Sequence, residues 1–87
     1  MMTPVEYEFY VQIGAFTSQD RADKFVKENQ SKLNYNMDIS FSNEVKLWVV
    51  RLPVFASREE AEKVRNDLWN SGDFDDAFIV TLEKNTN

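Results

Sequence analysis

The sequence contains no cysteine and no histidine. The absence of cysteine excludes disulfides and cysteine-based metal sites, and it leaves the cellular compartment open. The absence of histidine removes the side chain that proteins use most often as a general base and as a metal ligand. We therefore expect no metal site and no cofactor.

Long apolar runs and an excess of positive charge are missing as well. No segment approaches the ~20 apolar residues of a membrane span, and Met1 to Pro4 lack the basic and apolar regions of a signal peptide. Ten basic residues are scattered among fifteen acidic ones, for a net charge of −5. We therefore expect no nucleic-acid partner, which would need a basic stripe, and no insertion of this segment into a membrane.

What the sequence does contain is typical of a globular domain. Hydrophobic residues make up 43% and aromatic residues 14% of the 87 residues, with only two glycines and two prolines. This length is enough for one domain and too short for two. We predict a single domain over residues 1–87, with a core at about 6–82 and tails at 1–5 and 83–87.

The chain also repeats itself. When the sequence is shifted by 39 residues, residues 10–24 align with residues 49–63, and five of the 15 aligned pairs are identical. The apolar pattern and the helix-capping residues align too, so we expect two halves of similar structure. The identical pairs are Val11/Val50, Phe16/Phe55, Ser18/Ser57, Ala22/Ala61 and Lys24/Lys63.

The first half is predicted to form a strand, a helix and a second strand. The strands run from about Glu6 to Gly14 and from about Met37 to Phe41. Ser18 caps the intervening helix, and Asn34 or Asn36 ends it in the left-handed conformation. The helix has an apolar stripe of Ala22, Phe25, Val26 and Leu33.

The second half repeats this order. Its strands run from about Val45 to Leu52 and from about Asp76 to Leu82. Ser57 and Glu60 form a capping box for the helix, and Gly72 is its C-terminal cap. The apolar stripe of this helix is Ala61, Val64 and Leu68.

The order βαββαβ predicts an α+β fold of the ferredoxin-like, RNP-like type. Such a fold has a four-stranded antiparallel sheet, with the first and third strands central and both helices on one face. Strand alternation then places one set of side chains under the helices. These are Phe9, Val11, Ile13, Trp48, Val50, Leu52, Ala77 and Ile79.

The other sheet face, which we name the open face, is predicted to carry Tyr10, Gln12, Asp38, Ser40, Leu47, Val49, Arg51, Phe78 and Val80. Apolar side chains on the exposed face of an acidic domain indicate an interaction surface. Aromatic rings pack on the C–H faces of sugars, Gln12 offers a donor and an acceptor, and Arg51 can pair with a carboxylate. Alternatively, Tyr10 and Phe78 are a cross-strand pair that stabilises the sheet. The residues alone leave both readings open.

Two segments resemble the SPOR (sporulation-related repeat) domain family. Residues 10–16, Tyr-Val-Gln-Ile-Gly-Ala-Phe, resemble its opening pattern V-Q-x-G-x-F. Residues 50–61, Val-Arg-Leu-Pro-Val-Phe-Ala-Ser-Arg-Glu-Glu-Ala, resemble its second pattern V-R-x-G-x-F-x-S-x-E-x-A. The resemblance covers about Phe9 to Val80.

The resemblance implies a ferredoxin-like module that binds peptidoglycan, especially glycan strands without stem peptides, at division septa. It implies that the open face holds the glycan and that Gln12 contacts it. It also implies a periplasmic or cell-envelope location, as part of a larger or processed protein. The predicted ligand-binding residues are Tyr10, Gln12, Ser40, Leu47, Val49, Arg51 and Phe78.

The sequence departs from the family pattern at three places. Pro53 replaces the second-half glycine and removes a backbone donor. Ala15 stands where some members have a hydroxyl residue. A tryptophan often lies on the binding face at the start of the third strand, but alternation turns Trp48 inward and places Leu47 outward.

Three other functions compete with glycan binding. Catalysis would rest on acid pairs such as Glu59 with Glu60, which are more often helix-dipole partners or solvated surface, so we expect no enzyme. RNA-recognition domains share the topology, but their basic third strand is missing here. A protein partner, or weak self-association, through the same open face is the main alternative.

Overall fold

The computed structural model describes residues 5–84. Residues 1–4 and 85–87, which include most of the predicted tails and the segment compared with a signal peptide, lie outside the described residues. The elements follow the predicted order, with a short 3₁₀ helix (Gln30–Lys32) added after the first helix. The strands are β1 (Tyr7–Phe16), β2 (Asp38–Ser42), β3 (Leu47–Arg51) and β4 (Phe78–Glu83), and the helices are α1 (Gln19–Asn29) and α2 (Arg58–Ser71).

The sheet is antiparallel, with the strand order β2-β3-β1-β4. β1 and β3 are therefore central, and the α+β prediction is confirmed. The helices pack over one face, because residues of both join a single core cluster with residues of the strands. The predicted inward residues all belong to this cluster: Val11, Ile13, Val50, Leu52 and Ala77 are buried, and Phe9, Trp48 and Ile79 pack against them.

Both helices begin in the same way, as the repeat predicts. Ser18 and Ser57 have nearly identical extended backbones, and their hydroxyls accept hydrogen bonds of 3.2 Å from the amides of Arg21 and Glu60 respectively. Each bond satisfies one of the backbone donors that a helix leaves free at its first turn. The internal repeat is therefore visible in the capping geometry.

The helix ends differ from each other. Gly72 ends α2 with a left-handed φ of 79°, as predicted, because glycine has no Cβ to oppose it. The prediction for α1 was wrong: neither Asn34 nor Asn36 has a positive φ, and the helix tightens at Gln30 into the 3₁₀ segment. Leu33 follows that segment in extended conformation and reaches the core from there.

A bulge interrupts the pairing of β1 with β3. Gln12 pairs with Arg51, but Gly14 pairs with Val50, so the register shifts between them. Both Ile13 and Gly14 therefore lie on the helix side, and Ala15 turns to the open face beyond them. A Cβ at Gly14 would lie 2.8 Å from the Phe16 ring, which explains why glycine suits this position.

β1 and β2 each begin one residue later than predicted, and β3 and β4 each begin two residues later. Residues 43–46 form the β2–β3 turn, in which Lys46 has a φ of 59° and donates its amide to the Ser42 carbonyl at 2.8 Å. β3 consequently starts at Leu47 rather than Val45. The Ala77 amide bonds the Phe74 carbonyl in a turn, so β4 starts at Phe78. β4 continues through Glu83, which had been assigned to a tail.

Pro53 has no amide to donate, and it lies between two residues whose amides pair with β1. Leu52 donates to the Val11 carbonyl at 3.0 Å, and Phe55 donates to the Phe9 carbonyl at 2.8 Å. Within residues 5–84, no helix combines the length and apolar character that crossing a membrane requires.

Candidate functional site

The open face is crossed by a row of four side chains, one from each strand. Phe78 of β4 is opposite Gln12 of β1, Gln12 is opposite Arg51 of β3, and Arg51 is opposite Asp38 of β2. Directly paired residues of an antiparallel sheet project from the same face. The row thus brings together three of the predicted site residues, from segments far apart in sequence.

Gln12 lies at the centre of the row and is only 7% exposed. Its Oε1 accepts a hydrogen bond of 3.1 Å from the Arg51 Nε. These two residues are 39 apart and so occupy equivalent positions of the two halves. The sequence predicted that the Gln12 amide is displayed on the open face. The amide is instead buried, because β1 is a central strand with a neighbouring strand on each side.

Arg51 is half-buried and is positioned from two sides. Gln12 holds its Nε, and the Tyr10 ring lies 6.0 Å from its Cζ. In the part of the chain that the structure describes, Arg51 forms no ion pair, although Asp38 is its register partner. A guanidinium has five N–H donors, and a planar pair of them fits a carboxylate.

Tyr10 adjoins the row and pairs with Val80. Burial raises the pKa of Tyr10 above the ordinary value of 10.0, and the negative charge of Glu8 raises it further, while Arg51 acts in the opposite direction. The phenol is therefore protonated at neutral pH, and a side-chain hydrogen bond with Glu8 adds to the raised pKa.

An apolar strip runs along β4 beside Tyr10. Phe78 is 48% exposed and Leu82 is 38% exposed, with the half-buried Val80 between them. Alternation places these three side chains on the open face, and Leu82 is opposite Glu8. Sequence reasoning assigned Phe78 and Val80 to this face but missed Leu82, although the same alternation pointed to it.

The remaining predicted site residues lie on the β2–β3 half of the open face. Ser40 is exposed and Leu47 is half-buried. Val49, predicted to be displayed, is only 1% exposed. It sits on the central strand between Ala15 and Ser40, with Leu47 and Arg51 two residues away on the same face. Its neighbours therefore cover it, and its side chain is not accessible to a ligand.

Trp48 and Trp69 lie elsewhere. Trp48 faces the helix side, where its ring makes an edge contact with the Phe41 ring, with 5.3 Å between the ring centroids. Trp69 of α2 donates its Nε1 to the Ala77 carbonyl at 2.7 Å and stacks with Arg65 at 4.4 Å. It is 44% exposed and fastens the end of α2 to the start of β4.

Among residues 5–84 no three carboxylates converge in a way that could hold a metal ion. The acid pairs of the sequence lie in different places: Glu59 and Glu60 are in the first turn of α2, and Asp75 and Asp76 are in the turn before β4. Negative charge at a helix start is favourable to the helix dipole.

Comparison with known proteins agrees with this architecture. A family model described as SPOR domain matches residues 6–81. The solution structure of the peptidoglycan binding domain of the B. subtilis cell wall lytic enzyme CwlC superposes with a TM-score of 0.65 and 20% sequence identity, over 98% of this chain and 99% of that chain. At this identity the likeness shows a shared fold. A search of curated proteins found no match.

Proposed function

The chain belongs to the SPOR domain family, and from this premise we propose that it is a non-catalytic module that binds peptidoglycan on its open face. The observation that carries the proposal is the row of Phe78, Gln12 and Arg51 on the sheet face opposite the two described helices. The CwlC domain, whose name describes peptidoglycan binding, shares the fold and supports the proposal.

The apolar strip and Tyr10 suit the faces of sugar rings. From Phe78 to Leu82 the strip spans four residue steps, or about 13 Å of strand. Its exposed apolar surface is bordered by the polar groups of Glu8, Gln12 and Arg51. Contiguous apolar surface with a polar border is typical of a binding site.

Arg51 selects the ligand in this proposal. Glycan strands that lack stem peptides carry a free lactyl carboxylate on each N-acetylmuramic acid, whereas an attached peptide converts that group to an amide. A guanidinium that Gln12 already orients can donate two parallel hydrogen bonds to such a carboxylate. We therefore assign Arg51 to the carboxylate and Gln12 to the positioning of Arg51.

This preference would concentrate the protein where stem peptides have been removed, as at a division septum. The corresponding location is the cell envelope, in the periplasm, with the domain attached to or processed from a larger protein. Ser40 and Leu47 border the same face and would contact the glycan beside Arg51.

The test is co-sedimentation with purified sacculi, either intact or stripped of stem peptides by an amidase. We expect stronger sedimentation with the stripped sacculi and roughly tenfold weaker binding for Arg51→Ala, Tyr10→Ala and Phe78→Ala, since loss of one charged hydrogen bond or buried ring is worth about 1.5 kcal/mol. Gln12→Ala should weaken binding less than Arg51→Ala does, because the Arg51 guanidinium is still present and has lost only the hydrogen bond that orients it.

Phe41→Ala provides the matched control. Phe41 is 44% exposed, close to the 48% of Phe78, but it lies on the helix side of the other edge strand. Circular dichroism and thermal melting establish that each variant is folded. Equal sedimentation of the Arg51, Tyr10 and Phe78 variants with the wild type would rule out the open face as the site.

A non-catalytic role is tested with the same sacculi. We expect no soluble muropeptides or sugars above the blank after prolonged incubation, and release of either product would refute this part of the proposal. Because purified sacculi contain no protein partner, specific sedimentation also separates glycan binding from the alternative in which the open face docks another protein.

A further inference from the structure

The outer edge of β4 is an unprotected sheet edge. β4 pairs only with β1, so one side of its backbone has no strand partner within the described chain. Proteins usually protect such edges with lysine, proline or a bulge. Residues 78–82, Phe-Ile-Val-Thr-Leu, contain no charge and no proline, and their pairing with β1 runs without a register shift. The other edge strand, β2, begins with the charged Asp38.

We propose that β4 pairs with β4 of a second copy of this chain, antiparallel and about a two-fold axis at Val80. In this register Val80 is opposite its own counterpart, Phe78 is opposite Leu82, and Ile79 is opposite Thr81. A two-fold axis perpendicular to the sheet keeps both open faces on the same side. Phe78 and Leu82 are then cross-strand neighbours at the junction, and their side chains stay on the open face.

One pair of opposite charges lies near each end of the junction in this register. Asp76, in the turn two residues before β4, lies at the same end as Lys84, just after β4 of the second copy, and the symmetry brings these two charges together twice. Both residues are exposed, and Lys84 contacts only Glu6, at 3.6 Å, among the described carboxylates. The alternative of stacking two open faces offers no such pairing, because it brings Arg51 of one copy toward Arg51 of the other.

The helices leave room for this arrangement. α2 contacts both β1 and β4, so it lies over the interior of the sheet rather than beyond its edge. The result is an eight-stranded sheet with two helical layers on one side and one continuous open face on the other. The association is weak, since a single strand pair buries little area and each copy carries a net charge of −5.

Sedimentation equilibrium over a wide range of protein concentrations, without any glycan, tests the proposal independently of peptidoglycan binding. We expect the wild-type mass to rise from that of a monomer toward that of a dimer. Val80→Lys places two ammonium groups together on the axis and should remain monomeric. Ser40→Lys adds the same charge to the same face, but at the other edge strand. In the absence of glycan it should dimerise to the same extent as the wild type.

A charge exchange tests the register and does not depend on the fold of the Val80 variant. Asp76→Lys and Lys84→Asp should each weaken the dimer by about two- to fivefold, as expected for exposed ion pairs, and the double variant should restore it. A wild type that stays monomeric, a Val80→Lys variant that dimerises normally, or a double variant no better than the single ones would each overturn the proposal.

Discussion

Gln12 and Arg51 show how one hydrogen bond shapes the open face. A buried amide without a partner would destabilise the fold, and the bond from the Arg51 Nε satisfies the Gln12 oxygen. The same bond holds the half-buried guanidinium in place. Gln12 therefore serves the stability of the sheet and the orientation of Arg51 at once, which a purely ligand-contacting glutamine would not do.

Tyr10 offers a test of the local environment. Since burial and Glu8 raise its pKa, Tyr10 should ionise above the ordinary tyrosine value of 10.0. The ultraviolet titration of the wild type minus that of Tyr10→Phe should therefore give a phenolate midpoint above pH 10. A difference midpoint at or below pH 10 would contradict the raised pKa.

The same shift makes stability depend on alkaline pH. Above the ordinary pKa of 10.0 the unfolded chain has lost the Tyr10 proton while the folded chain retains it. The unfolded state then binds fewer protons, so the free energy of unfolding falls as pH rises through this window. We expect a smaller alkaline loss of stability in Tyr10→Phe, measured by urea unfolding on both sides of pH 10.

At the level of elements, the two halves of the chain share their beginnings and differ at their ends. Both helices start at a serine cap with the same backbone angles. α1 ends in a 3₁₀ segment, whereas α2 ends at a left-handed glycine. The bulge between Gln12 and Gly14 likewise belongs to β1, and Pro53 stands at the position of the second half that aligns with Gly14.

The equivalence of the two caps predicts equal effects of mutation. Ser18→Ala and Ser57→Ala should each lower the free energy of unfolding by about 1 kcal/mol, because each leaves one helix donor without its side-chain partner. Ser31→Ala, an exposed serine within the 3₁₀ helix, is the control and should change stability little. Urea unfolding measures all three, and a loss at only one of the caps would show that the halves are not equivalent.

At the level of the whole molecule, the domain is acidic while its open face is nearly neutral. The domain has a net charge of −5, and the central row of the open face carries one cation, Arg51, opposite Asp38. Polyanions are therefore repelled over distance, whereas the glycan contacts that we propose involve rings, hydroxyls and a single carboxylate.

Salt dependence follows from this charge pattern. Raising the salt concentration from 50 to 200 mM should weaken glycan binding by less than about fourfold, because one partly buried charge contact is screened only modestly. A protein that contacts six to ten phosphates would lose about 10³ or more over that range. Co-sedimentation with stripped sacculi at both concentrations measures the effect, and Arg51→Gln should remove most of it. A steep loss would contradict the proposed contacts.

The sequence by itself determined the order of the strands and α-helices, both serine caps, the glycine end of α2 and the face on which the strand residues outside the β1 bulge lie. These features depend on local geometry: the periods of helix and strand, the donors of a first helical turn and the freedom of glycine. The shared face of Tyr10, Gln12, Arg51 and Phe78 could be predicted because alternation is a property of the extended chain.

Only the tertiary structure decided how much of each side chain the open face displays. Gln12 and Val49 alternate outward as predicted, yet both are buried because neighbouring strands and residues on either side cover them. The bulge that turns Ala15 outward arises from pairing with β3, a partner distant in sequence. Burial and register depend on neighbours that are distant in sequence. The alternation of residues along a single strand carries no information about those neighbours.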